Sequence, residues 1–199
     1  MFQQTLQPGE LTQGDEQYVS PFDDIATVHS LYEARIFRFL LLSVRNRDIA
    51  LSLTQDTFLN AWRSRDSFRG ECSIATWLTR IAVNLLRDQT RTNTFRFWKR
   101  ANATAIDVDS LSSHLPHPVR SAESTLIARE KLAQIWKTVE KLSPQQRSIF
   151  LLRFVDELEL LEIAQAMSMA LPTVKSHLYR ALDRVRASHT ASAGKRDRG

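Results

Sequence analysis

The segment from Leu142 to Arg186, LSPQQRSIFLLRFVDELELLEIAQAMSMALPTVKSHLYRALDRVR, constrains this chain more than any other. Its apolar spacing predicts three short helices, the last two meeting at a sharp break around Ser168-Met169-Ala170. Charge is divided between those two. Asp156, Glu157, Glu159 and Glu162 lie on the middle helix and its approach. The final helix carries Lys175, His177, Arg180, Arg184 and Arg186, with only Asp183 against them. Lys175, Ser176, Tyr179, Arg180 and Asp183 share one side, while Val174, Leu178, Ala181, Leu182 and Val185 occupy the other. Two helices joined by a few residues, the second basic and polar on one side, have the shape a major groove admits. An amphipathic surface helix with a solvated face is the plainer account; the acidic neighbour and the sharp break weigh against it.

Composition agrees with a helical protein and a polyanionic partner. Five glycines and six prolines in 199 residues are few, and 43% hydrophobic content suffices for packed cores. Residues 1–21 hold Glu10, Asp15 and Glu16 and no Lys or Arg, whereas from Pro172 onward seven Lys/Arg face two Asp. An acidic head and a basic end, within a net charge of +5, suit nucleic acid better than a uniformly solvated surface. Cys72 is the only cysteine, which excludes an internal disulfide and a cysteine zinc cluster. The first residues lack the pattern of a signal peptide, and the longest apolar run, Phe39–Leu42, is too short to span a bilayer. A cytoplasmic protein without membrane insertion is expected.

Helical spacing organises the rest. Phe22, Ile25, Val28, Leu31, Tyr32, Ile36, Phe39 and Leu40 recur at intervals of three and four, the stripe of a core-facing helix. Arg45-Asn46-Arg47-Asp48 breaks it, and a second helix follows with Ile49, Leu53, Phe58, Leu59 and Trp62 apolar. Ser67–Ser73 reads as a loop punctuated by Gly70, and a third helix from about Ile74 past Arg91 buries Trp77, Leu78, Ile81, Val83 and Leu85. Ser143-Pro144-Gln145-Gln146 restarts a helix downstream: Ser caps, Pro fits the first helical position, and Gln146 reaches back to the cap. The expected class is all-α: two small helical domains joined by a flexible linker, the C-terminal one with a helix-turn-helix. Their bounds are a disordered extension at 1–21, a first domain at 22–91, a linker at 92–122 containing Pro116 and Pro118, a second domain at 123–187, and a basic tail at 188–199.

Catalysis finds little to work with. No histidine has a partner Ser or Cys in a recognisable arrangement, there is no phosphate-cradling glycine loop, and His114-Leu-Pro-His117 is the only paired histidine spacing. No enzyme, cofactor or metal is expected.

The residues Leu142-Ser143-Pro144, Arg147, Leu152-Arg153-Phe154, Glu162-Ile163-Ala164, Thr173-Val174-Lys175-Ser176 and Arg180-Ala181 resemble the C-terminal promoter-reading domain of bacterial sigma factors, in particular the small extracytoplasmic-function (ECF) group. Response-regulator helix-turn-helix domains share part of that pattern. Gln55–Trp62, Phe68–Glu71 and Thr76–Leu85 are similar to the other sigma domain, which grips polymerase and opens the promoter. The two matches stand in the correct order and together cover roughly residues 22–187. Departures are visible. Leu51 and Ser52 stand where an acidic pair is usual, Ser168 where the turn glycine is, and Ala170 where a capping serine is. Glu157 and Glu159 replace a customary Gly and Ser.

The resemblance implies a role for each segment. The second helix, with Asp48, Gln55, Asp56 and Asn60, would dock on core RNA polymerase; core packing is the preferred account of Phe58 and Leu59. Glu71, Cys72 and Ser73 would line a pocket for a flipped base at the minus-ten element, at a cost of a few kcal/mol for unstacking. Arg80, Asn84, Arg87, Asp88 and Arg91 would track the strand. Trp77 is assigned to the core in preference to a melting wedge. Thr173, Lys175, Ser176, His177, Tyr179 and Arg180 would read the minus-thirty-five box. An anti-sigma factor is an implied partner beside polymerase and promoter DNA, and a stress or envelope regulon the implied target. Phe95, Phe97 and Trp98 among Arg96, Lys99 and Arg100 receive no single assignment. The competing reading is a stand-alone helix-turn-helix regulator binding DNA as a dimer.

Overall fold

A computed structural model describes residues 21–91 and 132–196. The extension at 1–20, the linker with its aromatic cluster and histidine pair, and the last three residues lie outside the described residues. A 3-10 turn, Pro21–Asp24, leads into α1 (Ile25–Val44), α2 (Arg47–Arg63) and α3 (Ile74–Arg91), with a second 3-10 turn at Arg65–Ser67. A helix at 132–139 (α4) precedes α5 (Pro144–Phe154), α6 (Leu160–Met167) and α7 (Leu171–Arg196). The all-α class, with two helical domains and a helix-turn-helix at α6–α7, is what the sequence pattern indicates. The backbone of α7 continues past Ala187, where the sequence reading ends the domain.

Short polar side chains set the helix starts. Asp24 accepts from the Thr27 amide at 3.1 Å, and Asn46 from the Ile49 amide at 2.9 Å. Ser73 accepts from the Thr76 amide at 3.1 Å and opens α3. At α5 the expected reciprocal cap is formed: the Gln146 amide donates to the Ser143 hydroxyl, and the Ser143 amide donates to the Gln146 carboxamide, both at 3.3 Å. Two helices end on left-handed residues that are not glycine, Arg45 (φ 57°) after α1 and Ser168 (φ 52°) after α6, and Glu157 (φ 56°) takes the same backbone two residues beyond the Val155 cap of α5.

The first domain packs α1, α2 and α3 around Phe22, Ile36, Phe39, Leu40, Phe58 and Leu78. Trp77 belongs to this core, its ring 4.5 Å from Phe22 and 5.3 Å from Phe68. Two expectations fail here. Leu31 is 68% exposed, because the buried stripe of α1 runs through Val28, Tyr32 and Ile36 and leaves Leu31 outside it. Leu59 is 42% exposed, since α2 buries Phe58 and Ala61 and turns Leu59 to the same side as Gln55.

The two domains are in contact. α1 packs on α5, and α3 packs on α6, so one hydrophobic core continues from Phe39 and Leu86 into Ile149, Leu152, Ile163 and Val174. Val139, Leu142, Phe150 and Ala181 form a smaller cluster behind it. Arg147 is a keystone that spacing alone does not reveal. Its guanidinium donates to the carbonyls of Val139, Glu140 and Leu142, which close α4, and across the domains to that of Ser43 at 3.1 Å. Burial draws its pKa down from the usual arginine value, with Arg45 adding to the shift and Glu140 opposing it.

Candidate nucleic-acid interface

Helix α7 is placed by its apolar side. Val174 and Ala181 are fully buried and Leu178 nearly so, against α5 and α6. That anchoring turns Thr173, Lys175, Ser176, Tyr179 and Arg180 to solvent, with Tyr179 64% exposed. His177 is half-buried instead; its Nδ1 is enclosed and makes no hydrogen bond. Among the described residues Lys175 and Arg180 have no acidic partner, whereas Arg184 donates to Gln146 at 3.4 Å and Arg186 lies 3.9 Å from Asp183. Two uncommitted cations, a hydroxyl and an exposed phenol on one helical side are able to meet phosphates and base edges.

Of the acids on the middle helix and its approach, Asp156 is buried, Glu162 half-buried, and Glu157 and Glu159 exposed. Asp156 pairs with Arg38, Glu159 with Arg153, and Glu162 accepts from the Glu159 amide at 2.8 Å. They organise the turn into α6, a role the charge split does not announce.

On the first domain the minus-ten candidates divide. Arg80, Asn84, Asp88 and Arg91 are exposed and succeed one another along one side of α3. Arg87 does not join them: it is half-buried and donates to the Met167 carbonyl at 3.2 Å. In the loop before α3, Glu71 is exposed and Cys72 half-buried. Burial pushes the Cys72 thiol up, with Arg80 countering and Glu71 adding to it. Ser73 is engaged as the cap of α3, and its hydroxyl also contacts that of Thr76 at 2.8 Å.

On α2, Asp48, Gln55 and Asp56 are exposed and Asn60 half-buried. Leu59 and Trp62, the latter 45% exposed with the Arg65 guanidinium 5.2 Å over its ring, extend this polar strip into a mixed apolar and acidic surface. The signal for Leu59 was its spacing of four from Gln55, which places both on one side. Among the described residues no group of three or more His, Cys, Asp or Glu could hold a metal, and no helix is long and apolar enough to cross a membrane.

Known proteins carry the same two units in the same order. Residues 29–96 match the family model for sigma-70 region 2, and residues 132–185 match that for sigma-70 region 4. The ECF RNA polymerase sigma-E factor of Escherichia coli K12 is 30% identical over 155 residues, covering 77% of this chain and 80% of that relative. The ECF RNA polymerase sigma factor SigW of Bacillus subtilis is 26% identical over 164 residues, 82% of this chain and 88% of that relative. In fold, the chain is similar to the sigma factor RpoE from Bartonella quintana, solved in complex with the anti-sigma factor NepR. That likeness has a TM-score of 0.60 and 24% identity, over 84% of this chain and 98% of that one. CnrH, solved with the cytosolic domain of CnrY, gives a TM-score of 0.53 and 23% identity, over 85% and 88% of the respective chains. With both sigma-70 regions in order and a 30% identical relative aligned along most of its length, the chain belongs to the ECF group of sigma factors, transcription initiation factors that bind core RNA polymerase and direct it to promoters.

Proposed function

We propose a division of labour for this sigma factor in which α2 docks core polymerase, α3 and the loop before it engage the minus-ten element, and the outer side of α7 reads the minus-thirty-five box as duplex. The observation that carries it is the coincidence of three exposed, chemically distinct sides with the three positions where the family motifs fall. The α2 side is mixed, with Asp56, Leu59 and Trp62 exposed and Arg65 lying over the Trp62 ring, a composition suited to a protein partner. The α7 side is cationic and polar (Lys175, Ser176, Tyr179, Arg180), suited to a groove lined with phosphates. The α3 stripe of Arg80, Asn84, Asp88 and Arg91, cationic or polar except at Asp88, is suited to a single strand's backbone. The proposal extends to a stress or envelope regulon, as the ECF resemblance implies, and to control by an anti-sigma factor, which neighbours solved with anti-sigma proteins support. Transcription takes place in the bacterial cytoplasm, and that is where the chain is placed.

The experiment is capture of purified core polymerase by this chain, followed by run-off transcription from a promoter library. Stable capture and a defined promoter motif are expected. DNA binding at a palindromic site without polymerase would instead establish the stand-alone regulator.

A further inference from the structure

Three arginines, Arg63, Arg65 and Arg69, surround the 3-10 turn between α2 and the loop before α3, and they are used differently. Arg65 is committed to the fold. Its guanidinium lies 5.2 Å over the Trp62 ring, donates to the Trp62 carbonyl at 3.1 Å and pairs with Asp23 at 3.6 Å. Arg69 is exposed and has no acidic partner among the described residues. Its backbone is nevertheless held. The preceding Phe68 is 6% exposed, with its ring 5.2 Å from Phe22 and 5.3 Å from Trp77, and its amide donates to the Arg65 carbonyl at 3.0 Å. Gly70 follows at φ 72°, a left-handed turn that leads to Ser73, the cap of α3. A cation on such an anchor is placed before any ligand arrives, which lowers the ordering cost of binding one.

Between Arg69 and α3 lie Glu71, exposed, and Cys72, half-buried. Burial raises the Cys72 thiol, and the charges of Arg80 and Glu71 act on it in opposite directions, so Arg80 of α3 is within electrostatic reach of the loop. An exposed carboxylate therefore stands between two arginines without acidic partners among the described residues. Extruding a base turns its nucleotide by about 180° around the backbone, and the turn reverses unless the phosphates on both sides are fixed. A carboxylate can accept from an exocyclic amine of a base but repels phosphate, which directs the backbone to the flanking cations. Resting on the minus-ten assignment proposed above, we propose that Arg69 is a backbone clamp for single-stranded promoter DNA, taking a phosphate on one side of the nucleotide held at Glu71–Ser73 while Arg80 takes one on the other. Arg69 confers no base preference; it fixes where the strand crosses the loop.

The test uses holoenzyme, this chain with core polymerase, on a forked template whose single-stranded minus-ten region carries the motif returned by run-off selection. Arg69→Ala should weaken binding by about two- to tenfold, alike for every single-base variant, with core capture unchanged. It should also lower the salt slope by about 0.7, the value for one single-strand phosphate. Arg69→Lys keeps a point charge and should recover most of that slope. A neutral methylphosphonate walked along the strand should cost wild type affinity at one linkage beside the captured nucleotide and cost Arg69→Ala nothing there. Arg63→Ala removes another exposed cation, from the end of α2, and should keep the wild-type linkage profile. If it erases the same linkage effect, a general field and not a contact is at work, and the clamp is overturned. Unchanged affinity and slope for Arg69→Ala, with Arg80→Ala losing both, overturn the clamp and leave the minus-ten assignment of α3 standing. If both variants match wild type, that assignment falls and takes the clamp with it. A loss confined to one base variant would make Arg69 a base reader, and a loss of core capture would make it a polymerase contact; either result overturns the clamp.

Discussion

The Arg38 guanidinium donates to Asp156 Oδ1 at 3.0 Å across the two domains, and the Asp156 side chain is only 2% exposed. Burial raises the Asp156 pKa above the ordinary carboxylate value, and the opposing pull of Arg38 and Arg35 does not cancel it. The pair fixes where α5 ends on α1, and the cost of burying its charges offsets part of their attraction.

A sign follows for acid. A carboxyl whose pKa is raised on folding binds its proton more tightly in the folded state, so the cost of holding it ionised is full above the folded-state value. That cost is relieved as pH falls through the folded-state value toward the unfolded one. Asp156→Asn removes this cost and keeps an acceptor, and should be at least as stable as wild type at pH 7. Its advantage should shrink as pH drops just above the ordinary carboxylate range. Asp156→Ala leaves Arg38 without its side-chain partner and should lose about 1–2 kcal/mol. Urea unfolding at neutral and mildly acid pH checks all three; an Asn variant clearly weaker than wild type at pH 7 would show that the ion pair is net stabilising.

The two turns that bracket α6 end on left-handed residues with a Cβ. At the end of α5 the Leu158 amide reaches the Leu152 carbonyl at 3.0 Å, with Glu157 at φ 56°. At the end of α6 the Met169 amide reaches the Ala164 carbonyl at 2.9 Å, with Ser168 at φ 52°. Both are helix ends that glycine fits without the Cβ penalty. Glu157→Gly and Ser168→Gly should each gain about 0.5–1 kcal/mol, net of the added freedom of the unfolded chain. Thermal unfolding should rise by roughly 2–4 °C per kcal/mol gained. A fall in either variant would mean that the side chain supplies more than the strain costs.

Leu59 and Trp62 on α2 are 42% and 45% exposed, and Trp62 also carries the Arg65 guanidinium 5.2 Å over its ring. As members of a docking surface, Trp62→Ala and Asp56→Arg should each weaken core polymerase binding by roughly 1–3 kcal/mol, the range of a contributing interface residue. The free energy of unfolding should change by less than about 0.5 kcal/mol for Asp56→Arg, and fall by about 1 kcal/mol for Trp62→Ala, which also removes the ring beneath Arg65. Equal affinity for core in both variants would place the docking face elsewhere.

Periodicity was a good guide wherever a helix has one buried and one open side. The exposed side of α7, with Val174, Leu178 and Ala181 turned in, was legible from spacing alone, as was the cap at Ser143 and Gln146. Residues customary elsewhere in the family located the two left-handed turns, since Glu157 and Ser168 stand where glycine is usual. What remained hidden depends on contacts about 80 positions apart or more. Arg87 fits the strand-tracking spacing of α3 equally well whether it faces solvent or Met167, and only the arrival of α6 decides. Asp156 reads as one more acid in a run until Arg38 is placed beside it. Leu31 and Leu59 failed for a different reason: a spacing of three or four tolerates two adjacent registers, and the core fills only one.

The outer side of α7 allows two kinds of contact to be told apart. An arginine making a bidentate contact to a guanine edge should cost about 1–3 kcal/mol on truncation and relax the choice of base at one position. A cation that meets only phosphate should weaken all sequences alike and reduce the salt slope by about one. Lys175 and Arg180 have no acidic partner among the described residues, so neither Lys175→Ala nor Arg180→Ala breaks an ion pair there. Arg184 differs: its contact with Gln146 gives Arg184→Ala a stability cost and little effect on promoter choice. Holoenzyme binding to single-base variants of the minus-thirty-five box across salt concentrations measures both signatures. Arg180→Ala should alter selectivity or slope while Arg184→Ala does not, and the reverse ranking would move the reading surface one turn along the helix.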